Sequence, residues 1–312
     1  MAFLAKSNAA RLSVVSNLGL TVVKLGIGLQ IHSVAVLSEA IHSGIDLLAA
    51  LIAWYAVRVA DIPPDKGHPY GHGKVESISG TVEALLIFLA GAWVIYEAVL
   101  GIVNGRRSES VHLGLVVMAI SAVVNVFVSR HLHKVAREHR SVALEADAHH
   151  LQVDVYTSIG VFIGLGLVAL TGWHVFDQIV AIAVGLLILH TSFSITKAAF
   201  APLLDATLPA EDVQLIEETL CSNPRVRGFH HLRTRKAGSV RFVDFHLLLE
   251  DDMTLKESHR ISHEVKDSIL AVLPGAVVEI HVEPYEEELS KKGQAIILPH
   301  MEEDVLGEER GL

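Results

Sequence analysis

Cysteine is almost absent: Cys221 stands alone among 312 residues. That excludes an internal disulfide and fits, without requiring, a reducing compartment. An excess of positive charge is missing too. Aspartate and glutamate number 35 against 25 lysines and arginines, so the chain offers nucleic acid no electrostatic footprint, and no such partner is expected. Charge is scarce over most of the length. Residues 1–200 hold nearly all the long apolar runs, and residues 205–312 hold most of the charge. With 51% apolar residues and a mean hydropathy of +0.45, the chain is more hydrophobic than a soluble domain of this size ordinarily is. The contrast predicts three segments: a membrane domain over 1–204, a soluble domain over 205–290, and an acidic tail over 291–312. The tail is expected to be disordered, Glu302 to Leu312 above all. A cleavable leader is not expected either. The first apolar run is too long for a signal-peptide core and ends without a small-residue cleavage site.

Six runs have about the 20 apolar residues that a helix needs to cross a bilayer. They lie at 12–31, 33–58, 78–103, 111–130, 153–173 and 175–196. The second is not purely apolar, since it holds Glu39, His42 and Asp46. The fifth helix is expected to start near Leu144, ahead of its apolar core, which brings His150 and Asp154 into the membrane. Basic residues crowd the loops of one side. Arg58, Lys66 and Lys74 follow run two, and Arg130, Lys134, Arg137 and Arg140 follow run four. Lys6 and Arg11 precede run one, Lys197 follows run six, and the opposite side has only Arg106 and Arg107. The positive-inside rule therefore predicts both termini in the cytoplasm.

The soluble segment reads as αββαβ. Pro209 to Asn223 is predicted as a helix with Pro209 in its first turn. Residues 227–236 and 239–250 read as strands around an Ala237-Gly238 turn. A second helix runs from Thr254 to Leu273, with Thr254 as N-cap and Glu257 completing a capping box. Residues 276–283 give a last strand. The order predicts a three-stranded sheet with its helices on one face.

What the sequence has in abundance is histidine, 19 residues of it, and imidazole is the commonest metal ligand near neutral pH. Run two contains His42-Ser43-Gly44-Ile45-Asp46, and the start of run five contains His150-Leu151-Gln152-Val153-Asp154. Both are H-x-x-x-D. A spacing of four puts both side chains on one face of a helix. Two such helices packed together would aim two imidazoles and two carboxylates at one point, a four-coordinate set suited to Zn2+. Ionisable groups in a membrane are costly and mark ion paths. In the loop before run three, Asp65, His68 and His72 are spaced to converge on a second ion, with Gly67, Gly71 and Gly73 permitting tight turns. In the tail, strand alternation puts His246 beside Asp244, opposite the apolar Val243, Phe245 and Leu247. By the same alternation His281 and Glu283 share a face. His259 lies on the second helix, and His230-His231 opens the first strand, either of the two being open as a ligand. Lys24 and Glu83 are expected at interhelical or interfacial positions, and Asp177 as a helix-start carboxylate. His32, His112, His174 and His190 lack matched partners.

Taken together, the six spans, the loop D-x-x-H-P-Y-G-H-G-K-x-E, the stretch A-D-x-x-H-x-x-x-D from Ala146 to Asp154 and the histidine-bearing tail resemble the cation diffusion facilitator family. The resemblance implies an all-α transmembrane domain with a ferredoxin-like, metallochaperone-like cytosolic α+β domain. It implies a homodimeric metal/proton antiporter in a bacterial inner membrane, embedded in lipid, with divalent metal ions and protons as its partners. It implies a transport site of His42, Asp46, His150 and Asp154, and a loop site of Asp65, His68 and His72. It implies a cytosolic site of His230, His246, His259, His281 and Glu283, choosing His230 over its neighbour. Lys74 and Asp205 are implied as a coupling pair at the junction of membrane domain and tail. Histidine rather than aspartate at position 42 resembles the zinc-selective branch, so Zn2+ is expected both as cargo and as a structural or regulatory ion. A broader range covering Fe2+, Mn2+, Cd2+ and Co2+ is the alternative. The run between spans four and five has only His131, His133 and His139, and lacks the long histidine-rich insert of many vesicular members. An intramembrane metallohydrolase would need a base beside the metal, as in H-E-x-x-H. His263-Glu264 is followed by Val-Lys-Asp, so no enzyme is expected. A metal sensor without flux is disfavoured by the doubled motif at membrane depth.

Overall fold

The computed structural model describes residues 2–31, 34–104, 112–173, 175–290 and 296–297. His32, His174, Arg106, Arg107 and most of the acidic tail lie outside these residues, as do the side chains of Glu39 and His112. The chain divides into two compact units, Met1–Leu203 and Leu204–Leu312.

The first unit is six long helices: α1 (Ala2–Ile31), α2 (Val34–Ala60), α3 (Lys74–Val103), α4 (His112–His139), α5 (Val142–Thr171) and α6 (Val175–Phe200). All six have the length and apolar composition to cross a membrane. They outrun the apolar windows of the sequence. The segments 131–139 and 142–152, expected as a basic loop and a helix start, are helical throughout, and only Arg140-Ser141 separates α4 from α5. A hydropathy window registers the apolar core of a helix, whereas hydrogen bonding carries the helix on until a cap ends it. Here Ser141 is that cap, its hydroxyl accepting from the Leu144 amide.

Large apolar side chains such as Phe127 and Phe193, 68% and 70% exposed, point outward. The interior is built from small and polar residues, as it is where lipid rather than water is the solvent. The α3–α6 seam depends on this. A Cβ on Gly91 would lie 2.8 Å from Ile188 Cγ2, and one on Gly185 would lie 2.5 Å from Ile95 Cγ1. α5 packs on α2, α3, α4 and α6, which makes it the central element. At one end of the bundle, buried Lys6 pairs with Asp61 at 2.5 Å and Glu76 at 3.3 Å. Ser141 donates to the other Glu76 oxygen at 2.6 Å. This network ties the ends of α1, α2, α3 and α5 together, and no sequence spacing announces it.

The second unit holds α7 (Ala210–Cys221), β1 (Gly228–Ala237), β2 (Val240–Leu249), α8 (Leu255–Val272), β3 (Val277–Pro284), a short α9 (Tyr285–Ser290) and β4 (Ile296–Ile297). The hairpin turns at Gly238-Ser239, one residue later than expected, with Gly238 at φ 60°. Thr254 caps α8, accepting from the Glu257 amide. The sheet has four strands, in the order β3-β2-β1-β4, rather than three. β4 is a two-residue pairing onto Gly228 and Phe229 from within the segment expected to be disordered. β2 and β3 are parallel, joined by α8. Ile216 and Leu220 of α7 and Ile261, Val265 and Ile269 of α8 form one core with Phe229, Val243, Phe245, Leu247 and Val278. Residues of the other strand parity, His246 among them, face away from the helices.

Candidate metal centres

The H-x-x-x-D pairs of α2 and α5 meet. His150 Nε2 is 3.1 Å from Asp46 Oδ1, and His42 Nε2 is 3.9 Å from Asp46 Oδ1 and 3.8 Å from Asp154 Oδ1. Asp46 and His150 are buried, while His42 is half exposed. The helical period accounts for each pair, and the packing of α2 on α5 accounts for their meeting. All four residues line a cavity of about 650 Å³. Sequence reading missed how the site is held. Asn125 of α4 donates to Asp154 Oδ2 at 3.2 Å. Lys24 of α1 is buried and donates to Ser43 Oγ at 2.8 Å, inside the first motif. Asp147, one turn before His150, accepts from Ser13 at 3.1 Å. A lone asparagine in an apolar run was the signal available for Asn125. Glu83 is fully buried, and Ser79 donates to it at 3.1 Å.

The loop residues also converge. Asp65 Oδ1 accepts from the amides of Gly67 and His68 at 2.8 and 2.7 Å. His68 Nδ1 and His72 Nε2 each lie 3.4 Å from a carboxylate oxygen of Asp65. Gly71 supplies φ 82°, which lets the chain turn back on itself. The His68 amide, with Gly67 and the nearby imidazoles assisting, holds the Asp65 carboxyl below its ordinary pKa.

In the tail, three histidines stand in register across three strands, His230 opposite His246 and His246 beside His281. Glu283 joins them: its carboxylate lies 2.7 Å from His230 Nε2, 2.9 Å from His246 Nδ1 and 3.4 Å from His281 Nε2. Burial pushes Glu283 upward, but hydrogen bonding from His230 and the imidazoles around it prevail, and its pKa lies below the ordinary value. Of His230 and His231, it is His230 that stands in register with His246 and reaches Glu283. His231, at φ 51°, leaves the register at a bulge, with its ring 5.1 Å from that of His246. One expected ligand is not brought in. His259 lies exposed on α8, its ring 4.5 Å from that of His263. α8 covers the sheet face that carries Val243 and Phe245, and the histidine row faces the other way, so four of the five expected residues lie together within this chain and His259 does not. Of the implied coupling pair, Lys74 opens α3, and Asp205, at φ 52°, pairs with Arg235 of its own unit at 3.6 Å. Asp177 lies in the first turn of α6, and His190 is exposed on the same helix.

Both units have counterparts among known proteins. The family described as "Cation efflux transmembrane domain" matches residues 10–204, and "Cation efflux protein, cytoplasmic domain" matches residues 208–285. The chain is 34% identical to the uncharacterized transporter sll1263 of Synechocystis sp., over 89% of this chain and 90% of that protein. It is 32% identical to the cation-efflux pump FieF of Citrobacter koseri, over 81% of this chain and 84% of that one. A solved structure of CzrB is 37% identical over 25% of this chain and 96% of its own, with a TM-score of 0.24.

Proposed function

The chain belongs to the cation diffusion facilitator family, a multi-pass membrane transporter of cations and not an enzyme, and from that premise we propose that it exports Zn2+ from the cytoplasm in exchange for protons. The observation that carries this reading is the meeting of His42 and Asp46 with His150 and Asp154 beside one cavity. Two nitrogens and two oxygens make a tetrahedral set favoured by Zn2+, while ions that want six oxygens are poorly served.

The same contacts supply the exchange. A proton held between His150 and Asp46 must leave before both can ligate, so metal binding releases protons and proton binding releases metal. Zn2+ arriving from the cytoplasm displaces protons. The bundle then opens outward, and external protons compete the metal off and are carried back. An inward proton gradient thus drives export. The basic residues gathered at one end, Arg58, Lys66, Arg130 and Lys134 among them, support that end, with both termini, as cytoplasmic in a bacterial inner membrane. Asp65, His68 and His72 form a site for a second Zn2+ in the cytoplasmic loop. His230, His246, His281 and Glu283 form a site in the tail, where an ion that neutralises Glu283 would help two tails associate as a homodimer. The match to the cytoplasmic domain of the family supports the dimer.

Reconstituted proteoliposomes test the reading. Under an imposed pH gradient, Zn2+ flux is expected to run against protons and to exceed that of Mn2+ or Fe2+. Zn2+ flux indifferent to the pH gradient would rule out antiport.

A further inference from the structure

The transport reading uses none of His133, Glu145 and His149. His133 comes from the last turns of α4 and the other two from the first turns of α5, on either side of the Arg140-Ser141 connection. Each offers one ligand atom, and these atoms lie within 4.8 Å of one another, the closeness that also defines the His42, Asp65 and Glu283 groups. The two imidazoles meet edge to face with centroids 4.7 Å apart. On α5, Glu145 and His149 are four apart and share a face.

Two details point to a ligand rather than to chance proximity. His149 Nδ1 is 3.1 Å from Gln152 Oε1. In the tautomer that donates from Nδ1 to this amide oxygen, Nε2 keeps its lone pair, as in a metal-ligating histidine oriented by an outer partner. His133 Nδ1 is buried without a hydrogen-bond partner among the described residues, a costly state for a ring nitrogen. The same mark is found on Nδ1 of His72 and of His150, each a member of a metal-spaced set. There is also a way in. Glu145 is exposed, and with His149 it lines a cavity of about 210 Å³ against Thr191, Ser194 and Ile195 of α6.

We propose that His133, Glu145 and His149 form a separate metal site that binds Zn2+ or a chemically similar divalent ion and bridges α4 to α5. Two imidazoles and a carboxylate are a three-ligand zinc set, leaving one position for water. His150, the next residue, is turned about 100° around α5, toward Asp46. An ion on His149 therefore holds α5 against α4 just where the helix presents His150 to the cargo. That consequence rests on the transport reading, whereas the site itself does not.

The test is zinc stoichiometry on the purified full chain in lipid nanodiscs, by equilibrium dialysis and elemental analysis. His133→Asn is expected to bind one Zn2+ fewer per chain than the wild type, and this loss should add to that of Asp154→Ala. Unchanged number and affinity in His133→Asn would overturn the site. So would a double variant that binds no less than Asp154→Ala alone. If His133→Asn does not fold, Glu145→Ala at its exposed position replaces it. The affinity for that one ion should then fall at least about tenfold, and an unaltered affinity counts against the site equally. Should Asp154→Ala keep its full complement while His133→Asn loses an ion, the transport-site reading fails and this one stands.

Discussion

Asp154 has His42 at 3.8 Å and Asn125 at 3.2 Å, so its carboxylate is oriented from two other helices. Asp154→Ala should abolish Zn2+ flux in proteoliposomes while the protein stays folded, and wild-type flux in that variant would remove Asp154 from the transport site. Asn125→Ala leaves every proposed ligand in place and removes only an orienting donor. Zinc affinity, read by calorimetry on the full chain, should fall about 10–100-fold. No change would mean that Asn125 does not position the carboxylate. His42→Asp exchanges a nitrogen ligand for a harder oxygen, which suits Mn2+ and Fe2+ better. Competition transport should show a lower preference for Zn2+ over Mn2+, and an unchanged ratio would put selectivity at other residues. The residue types and their spacing of four were legible in the sequence. Asn125 was not, because its role depends on α4 facing α5 at that level.

At the scale of elements, glycines set how closely helices approach. Gly185→Ala would put a methyl group 3.2 Å from the Gly91 carbonyl oxygen and against Ile95. Backbone cannot swing aside as a side chain can, so α6 must move away from α3. Overpacking of this kind costs about 1–3 kcal/mol. The expected outcome is a lower melting temperature in nanodiscs, and an unaltered melt would show that the seam yields freely. The helices themselves were readable as apolar runs, but their true lengths were not. The polar turns of α4 and α5 that carry His133, Arg137, Glu145 and His149 lie beyond the apolar runs at 111–130 and 153–173. They remain helical because caps and neighbouring helices satisfy them. In the tail, alternation along β2 and β3 correctly put His246, His281 and Glu283 on one face. It could not expose the bulge that takes His231 out of register, nor β4 at the sheet edge.

For the whole molecule, the tail unit has its own core, so its metal chemistry can be measured on residues 205–290 alone, with Zn2+ binding expected at micromolar concentration. The pH dependence follows from Glu283. A carboxyl whose pKa is depressed in the folded state accepts a proton only at lower pH than an ordinary glutamate. Its contribution is therefore complete above the ordinary carboxyl value and is lost as pH falls through the depressed one. The part of zinc binding that Glu283 supplies should therefore persist to lower pH than an ordinary glutamate would allow. Glu283→Gln should weaken zinc binding and remove this low-pH part of its pH dependence, as followed by calorimetry over a pH series. An unchanged low-pH limb in that variant would mean that Glu283 is not the group that titrates there.

The sequence by itself determined that there are six spans and a soluble α+β unit. Both follow from short-range rules: the apolar length a bilayer requires and the alternation of a half-buried strand. It also determined the content of each H-x-x-x-D pair, because a helical period of about 3.6 residues puts residues four apart on one face whatever surrounds them. Only the tertiary structure decided which faces meet. It set α2 against α5, so that His150 reaches Asp46. It brought His133 of α4 to Glu145 and His149 of α5. It turned α8 onto the apolar face of the sheet, so that His259 is left apart from the row of His230, His246 and His281. Such placements depend on side-chain volumes summed over whole seams, the close approach allowed by Gly91 and Gly185 among them, and no local period in the chain encodes that sum.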